Sequence, residues 1–121
     1  MKRTVLLRLM ILSINMLKGK KIFLSAVDKE SIEQMRCWRN IPELRKYFRE
    51  YREISKEMQE KWYNKQEKDA FQVNFEIHDL ETKQLIGHCG LYYISWISRH
   101  AEFGIYIGDQ KFRNADMDQM R

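Results

Sequence analysis

The chain has 121 residues, 44% of them hydrophobic, which is enough for one domain with a small core. Lys and Arg number 22 against 17 Asp and Glu, a formal charge of +5. That excess would suit an anionic partner, but no block of like charge exceeds a few residues, and solvated helix faces account for it. No RNA-binding aromatic motif and no metal-ligand spacing of Cys and His is present, so neither nucleic acid nor a metal is among the expected partners.

The opening MKRTVLLRLMILSIN has the basic start and apolar middle of a signal peptide. However, Arg8 interrupts the run, no small-x-small cleavage site follows, and the run is too short to cross a bilayer. Met16 begins MLKGKKIFLSAV as a natural start would. Residues 1–15 are therefore expected to be an upstream extension, with the fold in residues 16–114 and no membrane as partner.

Lys21 to Val27 is a β-branched and aromatic run that predicts a strand. Asp28 is placed to cap a helix in which Ile32, Met35 and Trp38 share one buried face. Asn40 and Pro42 break it, and a second helix is predicted with Leu44, Tyr47, Phe48 and Tyr51 at three-and-four spacing. Ser55 caps a third, SKEMQEKWYNKQEK, with Met58 and Trp62 facing the core together. The pattern then changes to period two. FQVNFEIHD alternates Phe71, Val73, Phe75 and Ile77 with polar residues and predicts a half-buried strand. DLETKQ is the turn and LIGHCGLYYISWI the return strand, where Gly87 and Gly90 indicate a bulge or a close backbone approach. SRHA connects to a last strand over Ala101 to Ile107.

Cys37 and Cys89 form no disulfide framework, and both are expected to be packing residues of a reduced, cytoplasmic protein. Trp38 and Trp62 are expected in the core. His88, between glycines, is expected to be a packed or surface residue.

A strand, two or three helices and an antiparallel three-strand meander form an α+β order. It resembles the first half of a GNAT-superfamily acetyltransferase, and the segments that carry the likeness are ISKEMQEKWYNKQ, KQLIGHCGLYYIS and AEFGIYIGDQKFRN. They are similar to the branch of ribosomal-protein N-terminal, polyamine and amino-sugar acetyltransferases, over about residues 17–114. The resemblance implies acetyl-CoA as cofactor and a primary amine, on a small molecule or a protein, as acceptor. The backbone of Ile105, Tyr106 and Ile107 would pair with the pantetheine arm as an added strand does.

In such relatives the last strand leads into a loop of Arg or Gln, two residues, Gly, one residue, then Gly or Ala, whose backbone N–H groups cradle the pyrophosphate. Arg113 and Asn114 would be the first loop positions, but ADMDQMR supplies no glycine, so a truncated form with an incomplete cofactor site is expected. The codons of that tail, read two nucleotides out of frame, permit Gly-Tyr-Gly-Ser-Asp. A one-nucleotide deletion after Asn114 would thus make residues 115–121 a non-homologous tail, and the DNA beyond the stop tests this.

An amine must lose its proton before it attacks the thioester. Glu102 is the first candidate base, by likeness to an acidic residue on this strand in relatives. The plainer reading is a strand-edge or salt-bridged carboxylate. His100, two residues away on the same strand face, belongs to a residue type that exchanges protons near neutrality, or is a polar turn residue. Acceptor contacts are expected around Asn40 to Tyr51 and near Tyr92 and Tyr93. Glu43, Glu50 and Glu53 either attract a cationic amine there or form solvated helix faces. The competing expectation is a non-enzymatic remnant or small basic interaction protein that self-associates through the exposed edge of its last strand.

Overall fold

The structure, a computed structural model, describes residues 17–50 and 52–113; the expectations for residues 1–15, Tyr51, Asn114 and the tail 115–121 lie outside them. The architecture is α+β. Strands β1 (Leu17–Lys18), β2 (Ile22–Ala26), β3 (Val73–Asp79), β4 (Leu85–Ser95) and β5 (His100–Ile107) form one sheet in chain order, every neighbouring pair antiparallel. Between β2 and β3 the chain makes a 3-10 turn (Lys29–Ser31) and the helices α1 (Ile32–Arg39), α2 (Pro42–Arg45) and α3 (Lys56–Lys68).

The register sorts side chains onto two faces. On one, Phe75, Ile77, Cys89 and Ile107 are buried, with Ile86 at the register shift between β3 and β4. Ile22, Leu24, Val73 and Phe112 pack against them. The other face carries the row Ser25, Glu76, His88 and Tyr106 and lies under the helices. There Val27, Ile32 and Met35 form the second cluster, with Trp62 and Tyr63 against it.

The expected face of α1 is the buried one, since Ile32, Met35 and Trp38 are all in the core. Its entry differs from the expectation. Asp28 makes no side-chain cap; its backbone N–H donates to the buried Glu76 carboxylate at 2.6 Å. At the exit, Asn40 exchanges two hydrogen bonds with the backbone of Ile54, at 2.8 and 2.9 Å, and Arg36 donates to the same carbonyl. These bonds fix the start of α3, where the Ser55 hydroxyl accepts the Met58 N–H at 3.1 Å as predicted.

The second helix is shorter than its periodicity suggests. Pro42 opens α2, but it ends at Arg45, leaving Leu44 buried and Tyr47 77% exposed. In α3, Met58 and Trp62 are half-buried, and the residue sealed against α1 is Gln59, whose amide donates to the Ile32 carbonyl at 3.0 Å. Strand β3 begins at Val73 and leaves Phe71 exposed. It is buried on both faces at its centre, because the helices cover Asn74 and Glu76 as well. Strand β5 starts one residue early, at His100, after a turn over Trp96–Arg99. Cys89 is buried, and burial raises its thiol to about 11, whereas Cys37 is exposed on α1, contrary to its expected packing role.

Candidate functional site

The conspicuous polar feature lies on the helix-covered face between β4 and β5. A Cβ at Gly90 would meet the Val73 carbonyl oxygen and the Tyr92 ring at 2.6 to 2.8 Å, and one at Gly104 would meet the same ring at 2.9 Å. These paired glycines are the bed on which Tyr92 lies flat across the sheet. The close approach anticipated at Gly87 and Gly90 is present, while the register shifts fall at Ile77/His78 of β3, in its pairing with β4, and at Tyr92/Ser95 of β4, in its pairing with β5.

Lying flat, Tyr92 donates its hydroxyl to Asn74 Oδ1 at 3.0 Å, and His88 Nε2 donates to the same oxygen at 3.0 Å. Asn74 in turn donates to Gln66 and Gln72. His88 is thereby satisfied in its neutral form, and burial together with the nearby Arg39 charge lowers its pKa to about 3. Its ring meets the edge of Trp62 and tilts against Tyr106, and Phe48 meets Tyr106 edge-on at 5.2 Å. Burial raises the phenols of Tyr92 and Tyr106, so both remain neutral donors.

Over this aromatic floor sits Arg39, at the end of α1. Its guanidinium lies 4.8 Å from the Phe48 ring, and its Nε is buried without a hydrogen-bond partner among the described residues. Further along β5, Glu102 stands opposite Tyr92 and accepts from Arg49 Nη2 at 2.5 Å; Arg49 also lies over the Tyr93 ring. Tyr93 holds φ 51° at the β4 register break, a left-handed geometry that is uncommon for a bulky side chain.

Of the residues anticipated from sequence, Glu102 and His100 share a face of β5, and both are exposed; among the described residues no hydrogen bond or ion pair joins them. Glu102 shows the salt-bridged arrangement of its plainer reading. Ile105, Tyr106 and Ile107 lie on the edge strand, whose outer side pairs with no other described strand. Ile107 is in the core, Tyr106 is under the helices and Ile105 is 38% exposed. Arg113 donates to the carbonyls of Ile107 and Gly108, closing the end of β5. Glu43 and Glu53 are exposed. Glu50 is occupied by the Arg52 side chain at 2.9 Å and by its backbone N–H, which hold the carboxyl at about 2.

Arg39, Asn74 and Gly104 were not singled out from sequence. Arg39 reads as one of many helix-end arginines, and only the pairing of β4 with β5 shows that Gly104 faces Gly90.

Residues 21–116 match the acetyltransferase (GNAT) domain family. Among solved structures, a spermidine N-acetyltransferase chimera from Vibrio cholerae SpeG and hSSAT is 25% identical with a TM-score of 0.69, covering 82% of this chain and 57% of that one. The Vibrio cholerae spermidine N-acetyltransferase in complex with CoA and spermine is 27% identical with a TM-score of 0.68, covering 84% and 62%. A Vibrio cholerae structure described as a candidate ribosomal-protein-serine acetyltransferase shares the fold at 17% identity and a TM-score of 0.61, covering 83% and 58%. The chain spans about three fifths of the length of these structures. A comparison with curated proteins finds no match.

Proposed function

The chain belongs to the GNAT acetyltransferase family, and from that premise we propose that it serves acetyl transfer from acetyl-CoA to a primary amine, on a small molecule or a protein N-terminus. The observation that carries this reading is the outer edge of β5, unpaired among the described residues, on the strand that also presents Glu102. An extended edge offers backbone donors and acceptors to an extended ligand, which fits the pantetheine arm. Ile105, Tyr106 and Ile107 supply that edge, with Arg113 and Asn114 at the pyrophosphate end. The Arg113 guanidinium lies at the strand's end, bonded to its carbonyls.

Acetyl-CoA would supply the acetyl group as a thioester open to attack by an uncharged amine, and coenzyme A would leave through its sulfur, which takes up a proton as the amine sheds one. Glu102 accepts the proton the amine sheds, and Arg49 holds its carboxylate in place. His100, two residues back on the same face, passes the proton to solvent. The likeness to polyamine acetyltransferases supports an amine acceptor.

We assign residues 16–114 to the acetyltransferase domain, and the cytoplasm as its compartment, where Cys37 and Cys89 stay unpaired. No helix among the described residues is long and apolar enough to cross a membrane. Calorimetric titration of acetyl-CoA into the chain tests the reading. Binding in the micromolar range supports it, and no heat up to millimolar ligand contradicts it.

A second reading rests on the other face of β5, where Phe103 is 61% and Ile105 38% exposed beside the free edge. That combination favours self-association of a non-enzymatic chain. A dimer in sedimentation velocity at micromolar concentration, without acetyl-CoA binding, would favour it over the first. A clean monomer would count against it.

A further inference from the structure

We infer that Glu76 and His78 form a carboxylate–imidazolium pair whose proton clamps the β3–β4 turn to the sheet, so that losing this proton as pH rises releases the turn.

The pair stands at the end of β3, where the register shift against β4 falls between Ile77 and His78. His78 Nδ1 lies 3.1 Å from the carbonyl oxygen of Lys83, in the turn that follows, and Nε2 lies 2.8 Å from Glu76 Oε1. A carbonyl oxygen only accepts, so Nδ1 carries a hydrogen. On the other side Glu76 is 1% exposed, and its second oxygen accepts the Asp28 N–H at 2.6 Å. A carboxylate buried to this degree needs a compensating cation. Among the described residues His78 is the basic side chain bonded to it, and neither Lys nor Arg is paired with it. Nε2 therefore carries a hydrogen as well, and the imidazolium donates at both ends.

A neutral imidazole has a single N–H, and here both neighbours are acceptors. Loss of the proton turns one of the two bonds into a contact between lone pairs. The buried carboxylate keeps the remaining N–H, because without it a buried charge would stand uncompensated. The bond given up is the one to Lys83, which holds φ 66°, a geometry that a residue with a side chain keeps where surrounding bonds fix it.

The neighbouring groups leave this proton to the pair. On β2, Phe23 stacks on the His78 ring with centroids 4.9 Å apart, and Ser25 lies opposite Glu76. In the turn, Asp79 is bonded to Thr82 and the Lys83 ammonium lies over the Phe23 ring. On β4, His88 opposite Glu76 is neutral and bonded to Asn74. Asp28 gives its backbone N–H, and the cluster under the helices has Tyr63 as its one titratable member.

The test is nitrogen-15 NMR of the His78 ring in the intact chain, with the Gln84 and Asp28 amides followed from pH 6 to 9.5. At about pH 7.5, where an ordinary histidine carries one ring hydrogen, both His78 nitrogens should be protonated. As pH rises the Nδ1 hydrogen should be lost. The Gln84 amide, in the same peptide unit as the Lys83 carbonyl, should shift with the same midpoint while the Asp28 amide stays in place. Glu76→Gln should leave one ring hydrogen at about pH 7.5. His78→Gln, at a position nearer the surface, should abolish the pH response of Gln84 with the fold intact. A single ring hydrogen on wild-type His78 at that pH, or a Gln84 amide that does not follow the ring, would overturn the proposal.

Discussion

Glu102 and His88 illustrate how differently two titratable side chains on neighbouring strands are used. Glu102 is half-exposed and paired with Arg49, and an exposed pair of this kind contributes little to stability. Glu102→Gln should therefore leave the unfolding midpoint unchanged. If Glu102 is the base, the same substitution should lower acetyl transfer by roughly 10²- to 10⁴-fold in an active form. A purely structural carboxylate would leave transfer intact.

His88 is buried and neutral. Its folded pKa of about 3 lies below the ordinary 6.5, so the unfolded chain binds the proton more readily between those values. The stability it contributes is complete above pH 6.5 and is lost as pH falls toward 3. The slope is up to about 1.4 kcal/mol per pH unit for this one group. Urea unfolding of the wild type and His88→Gln across pH 4 to 7 should show that part of the slope vanishing in the variant. Equal slopes would mean that His88 is protonated in the fold.

At the scale of elements, α1 joins core to site: Ile32 and Met35 lie in the second cluster, Trp38 closes on Gly108 and Arg39 hangs over the aromatic floor. A Cβ at Gly108 would overlap the Trp38 ring, so Gly108→Val should displace the end of α1 from β5 and cost about 1–3 kcal/mol by overpacking. Met35→Ala, which opens a cavity under the same helix, should cost about 2–5 kcal/mol. Denaturant titrations of both variants provide the measurement.

The elements also show what periodicity can and cannot reveal. Strands β2 to β5 and the buried face of α1 were legible because the spacing of their apolar residues follows the core, whereas the two-residue β1 carries no such pattern. The second helix was not, because Phe48 leaves the line of Leu44 to sit between Arg39 and Tyr106, a tertiary contact that overrides the local pattern. Similarly, the polar members of β3 read as solvent-facing, yet Asn74 and Glu76 are buried. Each is matched by hydrogen bonds from residues distant in sequence, the Tyr92 hydroxyl and the Asp28 N–H. In the site, Glu102 and the edge strand were readable from the resemblance, but Arg39 was not. Its position depends on three elements meeting.

As a whole, the molecule is a sheet with one face well covered by helices and the other covered in part, ending in a strand whose edge is free among the described residues. That edge is the proposed seat of the pantetheine arm. The most direct measurement is an amide-resolved NMR titration of the chain with acetyl-CoA. Saturable shifts centred on Ile105, Tyr106 and Ile107 and extending to Arg113, with the helix α3 amides unmoved, are the expected result. Shifts confined to other elements, or none at millimolar ligand, would contradict it.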